Sequence, residues 1–228
     1  MDKPPTSEIT WNHRDFRRTF RKQRKFQATS GEKYSSLNRA GERNSMSDTH
    51  INHDLSILTD DVACAKQLNA RNVKILSTGG ERGRGVFAAR DFLPGEIVVI
   101  GLIDRMETVR TTNSFQLDWN VHALFHKPAV IVNHCCDPNL AIVPNRFGAY
   151  DFVAIQRISS GAEVTWNYAT SEFECIGVSV CLCSSRNCRG SAGGFSTLPR
   201  DHPLLVSGFY APYLKKTQGT FQERDRVA

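Results

Sequence analysis

Between Val73 and Tyr168 the chain is a succession of short apolar runs, each broken by glycine, proline, asparagine or serine. Runs of this length bounded by turn residues predict strands rather than helices. They fall at Val73 to Leu76, Gly85 to Ala89, Glu96 to Ile103, Ser114 to Trp119, Ala129 to Val132, Leu140 to Val143, Tyr150 to Gln156 and Glu163 to Tyr168. Pro94-Gly95 marks one turn and Ser159-Ser160-Gly161 another. Helical periodicity is confined to a short turn around Asp60 to Leu68, which Asp60 or Asp61 can cap. There is no internal repeat and no long amphipathic helix, so the pattern describes a mainly β (α+β) body of many small strands.

Composition adds limits to this picture. The 228 residues, 40% of them apolar, suffice for one core of ordinary size. No uninterrupted apolar stretch approaches bilayer length, and no apolar leader opens the chain, so the expectation is a cytoplasmic or nuclear protein in a reducing compartment. The net charge of +6 is uneven: residues 1 to 45 hold eleven Lys or Arg against five Asp or Glu, and the remainder is balanced. From Arg14 to Lys25 there are seven basic residues, with Trp11, Phe16, Phe20 and Phe26 interleaved or flanking. Residues 11–26 can touch nucleic acid, an acidic partner or a membrane surface, or act as an import signal. A solvated basic arm with no dedicated partner is the simpler reading.

The division expected is a basic, disordered arm over 1–54, including a polar linker from Asn44 to Asp54, and a β-rich domain over 55–170. A cysteine-bearing segment over 171–195 and a C-terminal extension over 196–228 complete it. In that extension Leu204-Leu205-Val206 and Phe209-Tyr210 are the docking residues, and the sequence turns polar after Lys215.

Cysteine spacing brings in chemistry. Cys181, Cys183 and Cys188 fall within eight residues of a loop rich in serine, arginine and glycine. Three soft ligands on one loop suggest a tetrahedral zinc site that lacks its fourth member. Cys64, Cys135, Cys136 and Cys175 are the available completions. Cys136 is preferred, because it sits in the tight Asn133-His134-Cys135-Cys136-Asp137-Pro138-Asn139 segment. The alternative is free or disulfide-bonded thiols, which seven cysteines and a reducing compartment disfavour.

Gly83-Arg84-Gly85 opens a strand where two missing side chains let backbone approach a ligand, or merely permit a tight turn. Asn133 and His134 end an apolar run, and Tyr168 ends another; a satisfied core histidine and a half-buried cross-strand tyrosine are the plain readings. In this order the segments resemble the SET-domain protein lysine methyltransferases over residues 73 to 195. Gly83-Arg84-Gly85-Val86-Phe87-Ala88-Ala89 is similar to the first family motif, and Asn133 to Asn139 to its asparagine-histidine-serine-cysteine-x-proline-asparagine signature. Gly161 to Tyr168 is similar to its glycine-glutamate-glutamate-leucine-threonine-x-aspartate-tyrosine element. Cys181-Leu182-Cys183 with Cys188-Arg189-Gly190 is similar to the zinc-binding post-SET segment, and no zinc-rich pre-SET module is recognisable.

The resemblance implies small β-sheets with a knot-like crossing and a post-SET segment bound to a structural Zn2+. It implies S-adenosyl-L-methionine on one face, a protein lysine, from a histone or another protein, on the other, and a channel between them. On these positions Gly83, Arg84, Gly85, Asn133 and His134 hold the cofactor, Phe195 closes over its adenine, and Tyr168 stands at the channel. Cys136, Cys181, Cys183 and Cys188 bind the metal. The family's serine is Cys135 here, a frequent arginine is Val130, and the aspartate before the tyrosine is Asn167. With a groove region, Gly101 to Ile131, that carries no specificity pattern, two alternatives stay open. One is an enzyme of the same fold acting on a small molecule or pathway peptide; the other is a catalytically silent binding module.

Overall fold

A computed structural model describes residues 61–215. The basic arm, the 44–54 linker, the Asp60 cap and the polar tail beyond Lys215 lie outside the described residues.

Residues 61–72 form a helix, α1, four residues longer at its C-terminal end than the pattern predicts. Its buried face is Ala65, Asn69 and Asn72, so two of its three inward residues are polar and the apolar period is weak. Asn69 substitutes for a strand residue: its Nδ2 donates to the Ile100 carbonyl at 2.8 Å and its Oδ1 accepts from the Ile100 N–H at 2.7 Å. Asn72 Nδ2 donates to the carbonyls of Ile97 and Val98, both at 3.1 Å. These bonds seal a strand edge that would otherwise be left open.

Among the described residues ten strands follow: β1 (Val73–Ser77), β2 (Arg84–Ala88), β3 (Ile97–Ile100), β4 (Ile103–Glu107), β5 (Phe115–Asp118), β6 (Val121–Phe125), β7 (Asn133–His134), β8 (Leu140–Pro144), β9 (Tyr150–Ala154) and β10 (Glu163–Trp166). They make three small sheets of order β1-β2-β10-β7, β3-β9-β8 and β4-β6-β5. Every pairing is antiparallel except β7 beside β10, which are parallel, with Asn133 opposite Thr165 and His134 opposite Trp166.

Three expectations change. The run Glu96 to Ile103 is two strands in different sheets, because the chain turns at Gly101, whose N–H donates to the Tyr150 carbonyl at 3.0 Å. A Cβ there would collide with that carbonyl, so only glycine makes the crossing. Ala129 to Val132 is not a strand: Ala129–Ile131 is a 3-10 turn whose bonds run from Ile131 and Val132 back to Pro128 and Ala129. The strand expected to reach Tyr168 stops at Trp166, because Asn167 caps a 3-10 turn over Tyr168–Thr170 by accepting from the Ala169 N–H.

Aromatic rings join the three sheets. Phe115 stacks on Phe125 with centroids 4.0 Å apart and on Trp166 at 5.4 Å, while Phe152 meets Trp166 edge-on at 5.6 Å. After a 3-10 turn at Phe195–Thr197 and a short helix α2 (Pro203–Val206), the chain docks through Leu204, Phe209, Tyr213 and Leu214, all buried. Val206, expected to dock with Leu204, is exposed. The Tyr213 hydroxyl donates to the Ser171 carbonyl at 2.5 Å and the Ala211 N–H to the Thr170 carbonyl at 2.7 Å. The extension is thereby tied to the segment just past Tyr168. Among the described residues no helix is long and apolar enough to cross a membrane.

Candidate functional site

Parallel pairing of β7 with β10 sets the site, because it brings the Asn133 segment beside the strand that leads to Tyr168. Asn139 fixes the register from its other end: its Nδ2 donates to the Glu163 carbonyl and its Oδ1 accepts from the Thr165 N–H, each at 2.8 Å. The sequence shows Asn139 only as a motif letter; its bonds identify it as a backbone splint.

Asn133 Nδ2 donates to the Arg84 carbonyl at 3.0 Å and to Glu163 Oε1 at 2.9 Å. The Gly83-Arg84-Gly85 segment therefore lies directly against Asn133. Gly83 has φ +69°, with open space where a Cβ would stand, and its carbonyl accepts from the Thr78 N–H and hydroxyl. Gly85 is crowded by protein groups on its Cβ side. A Cβ there would come within 2.6 Å of Glu163 Oε1 and 3.1 Å of Asn133 Nδ2, so its missing side chain makes room for those two groups.

His134 is buried, and both ring nitrogens are engaged. Nδ1 accepts from the Tyr168 N–H at 3.2 Å, which leaves the proton on Nε2, 3.4 Å from the Cys136 sulfur. Burial, assisted by the positive Arg189 nearby, pushes the imidazole down to about 4, so it is neutral at physiological pH. Its side chain couples the tyrosine turn to the cysteine cluster.

The Tyr168 hydroxyl donates to the Val132 carbonyl at 3.0 Å, and that same carbonyl accepts from Trp166 Nε1 at 3.2 Å. Burial raises the phenol above its ordinary value, so it is a neutral donor and acceptor, not a base. Tyr168 and Trp166 line a cavity of about 30 Å3, together with Phe115, Val130, Cys175 and Gly177. That is room for roughly two waters or the tip of one side chain. Glu172 is on its wall, balanced by Arg110 at 3.4 Å.

The thiols of Cys136, Cys181, Cys183 and Cys188 all lie within 4.8 Å of one another. Cys136 and Cys181 sulfurs are 3.8 Å apart. A tetrahedron with arms of about 2.3 Å has edges near 3.8 Å, so the spacing suits four thiolates around one zinc-sized ion. The Arg189 N–H donates to Cys136 Sγ at 3.3 Å. Burial raises the Cys183 thiol, but the Cys136 backbone N–H, Ser185 and Cys181 outweigh it and bring it to about 5, in the range of a ready metal ligand. Cys135, Cys64 and Cys175 lie outside the group. Burial first, and then its neighbour Cys183, pushes the Cys135 thiol up to about 11, and its Sγ donates to the Asp137 carbonyl at 3.2 Å.

Asn167, where the resemblance has an aspartate, is 1% exposed and accepts from both Ala169 N–H and Arg189 Nη2 at 3.1 Å. It ties the cysteine loop to the tyrosine turn without a charge. Phe195 is not open to solvent: it is 5% exposed, its ring 5.3 Å from that of Tyr210. The structure thus brings together Gly83, Arg84, Gly85 and Asn133 in one nook and the four cysteines in another, with His134 and Tyr168 between them.

Residues 83–169 match the family model of the SET domain. The chain carries a SET domain. The matched span ends before the cysteine loop, so three of the four clustered thiols lie beyond it. Similar solved structures include KRYPTONITE in complex with mCHG DNA and SAH, at 20% identity and TM-score 0.44, covering 53% of this chain and 29% of that one. A second comes from "Structural basis for the product specificity of histone lysine methyltransferases", at 23% identity and TM-score 0.42, covering 56% and 58%. The chain therefore spans less than two thirds of either structure. No curated protein matches its sequence.

Proposed function

We propose that this SET-domain chain is an S-adenosylmethionine-dependent methyltransferase that modifies the side-chain amine of a protein lysine, on a histone or another protein. The observation that carries the reading is the shared β7–β10 pair. Asn133 at one end of the pair faces the Gly83 loop, while Trp166 and Tyr168 at the other end line a cavity wide enough only for a side-chain tip.

The nook at Asn133 suits the donor. With Nδ2 committed to two acceptors, Asn133 presents Oδ1, which no described residue engages, to an N–H donor such as the cofactor's ammonium. The open space at Gly83 admits a ligand against backbone. His134, its ring nitrogens taken, contributes through its main chain, Arg84 through its own, and Phe195 supports the adenine side from behind. When bound, the cofactor supplies an electrophilic methyl on a sulfonium.

The cavity suits the acceptor. A lysine with pKa near 10.4 is uncharged in only about one of 250 molecules at pH 8. Phe115, Val130 and Trp166 exclude water from the tip of the side chain and lower that pKa. Tyr168, having given its hydrogen to Val132, has oxygen lone pairs left to accept an amine N–H. That contact leaves the amine's own lone pair free to face the donor methyl, so the residues contribute chiefly by positioning. Cys136, Cys181, Cys183 and Cys188 form a closed four-thiolate zinc site that fastens the post-SET segment to the Asn133 segment, and its role is structural.

Incubating the purified protein with methyl-labelled cofactor and a whole-cell extract tests this. Label recovered as methyl-lysine in protein supports it. Cofactor binding with label found only in small molecules, or in nothing, contradicts it.

A further inference from the structure

We infer that Glu163, held by Arg82, is the residue that orients the Asn133 amide and thereby tunes cofactor affinity; this rests on the reading of the Asn133 nook as the donor site. The Arg82–Glu163 pair is bidentate, with Nη1 to Oε1 at 3.2 Å and Nη2 to Oε2 at 2.7 Å, and both side chains are largely shielded. Such a fork fixes a carboxylate in its plane as well as in place.

One oxygen of that carboxylate, Oε1, accepts from Asn133 Nδ2, and the other partner of Nδ2 is the Arg84 carbonyl. Both groups are acceptors only, so the amide has a single satisfactory orientation, nitrogen inward and oxygen toward the ligand. Without the carboxylate, one contact remains and the amide can swing or turn over, which would present a donor to a cationic amine. Gly85 belongs to the same device. It has no left-handed φ, and its lack of a Cβ is what lets Oε1 and Nδ2 meet. Glu163 and Arg82 are positioning residues: neither is required to touch the cofactor.

Four single variants and one double variant separate this from a merely structural ion pair, with the dissociation constant of S-adenosylhomocysteine measured by calorimetry. Glu163→Ala should weaken binding about tenfold, the loss of one hydrogen bond to a charged group. Glu163→Gln keeps an acceptor for Asn133 and should stay within about threefold of wild type. Arg82→Ala should weaken binding, and adding it to Glu163→Ala should cost nothing more. Gly85→Ala removes no polar group, yet by pushing Oε1 aside it should match Glu163→Ala. The KM for a peptide acceptor should be unchanged throughout. The inference is overturned if Gly85→Ala and Arg82→Ala bind as wild type, or if Glu163→Gln is as weak as Glu163→Ala. Failure of the wild-type protein to bind would instead refute the donor-site reading beneath it.

Discussion

Replacing Tyr168 by phenylalanine removes one hydroxyl and tests whether that group serves the reaction or the fold. In most buried tyrosines the two would be confounded, since the abandoned acceptor is left unpaired at a cost of about 1–3 kcal/mol. Here the acceptor is the Val132 carbonyl, which keeps its bond from Trp166 Nε1 at 3.2 Å after the hydroxyl is gone. The stability loss should then be no more than about 1 kcal/mol, or roughly 2–4 °C in Tm for a chain of this size. Catalysis should fall much further. If the phenol oxygen is what aligns the amine, its removal should lower kcat about 100- to 1000-fold, by analogy with deletion of one preorganised polar contact. S-adenosylhomocysteine affinity should remain within about twofold, because the bonds that hold the Asn133 side chain, to the Arg84 carbonyl and Glu163 Oε1, do not involve the hydroxyl. Steady-state kinetics, thermal melting and calorimetry on one preparation read all three. A variant with unchanged kcat, or one whose loss of activity is matched by a large drop in Tm, would refute the reasoning and leave Tyr168 as a packing residue.

Other substitutions probe the supporting structure. Cys183→Ser should abolish stoichiometric zinc in elemental analysis and raise protease sensitivity in residues 175–195, whereas Cys135→Ser, outside the clustered thiols, should keep the metal. Burial pushes Asp151 up to about 6, against an ordinary value near 3.9 when unfolded, so the native state holds that proton more tightly. Its contribution is present below about pH 4 and is lost as pH rises to about 6, a change of about 2–3 kcal/mol. Asp151→Asn retains an acceptor for Asn145 Nδ2, so its melting temperature relative to wild type should climb between those pH values and plateau above them; a flat difference contradicts the assignment. Asn69→Ala removes both bonds to Ile100 and should destabilise by about 2 kcal/mol in denaturant titration, with no change in the cavity-side kinetics.

Most strands were legible because turn residues delimit apolar runs, and the runs at Val73, Leu140 and Tyr150 fold almost as their pattern predicts. The failures have local causes. At Gly101 the apolar pattern is continuous, and only a contact across to Tyr150 divides β3 from β4. Strand β6 is interrupted by His122 in the pattern, which hides its alternation of buried Ala123 and Phe125. The length of α1 was hidden because asparagines, not apolar residues, dock it. In the site, the loop spacing of Cys181, Cys183 and Cys188 together with the Asn-His segment was enough to single out Cys136. What was not legible was which partner each side chain has. His134 spends its ring on Tyr168 and Cys136, Gly85 makes space for Glu163, and Phe195 packs on Tyr210. Apart from Cys136, two residues from His134, these partners are distant in sequence, and Glu163 in particular carries no mark of its link to Arg82 and Asn133.

The most direct test is tandem mass spectrometry of acceptor protein treated with wild-type enzyme and cofactor, run beside the Tyr168→Phe variant. The account predicts methyl groups on lysine side-chain nitrogen with the wild type and a steep loss with the variant. Methylation at any other atom, or equal modification by both proteins, would contradict it.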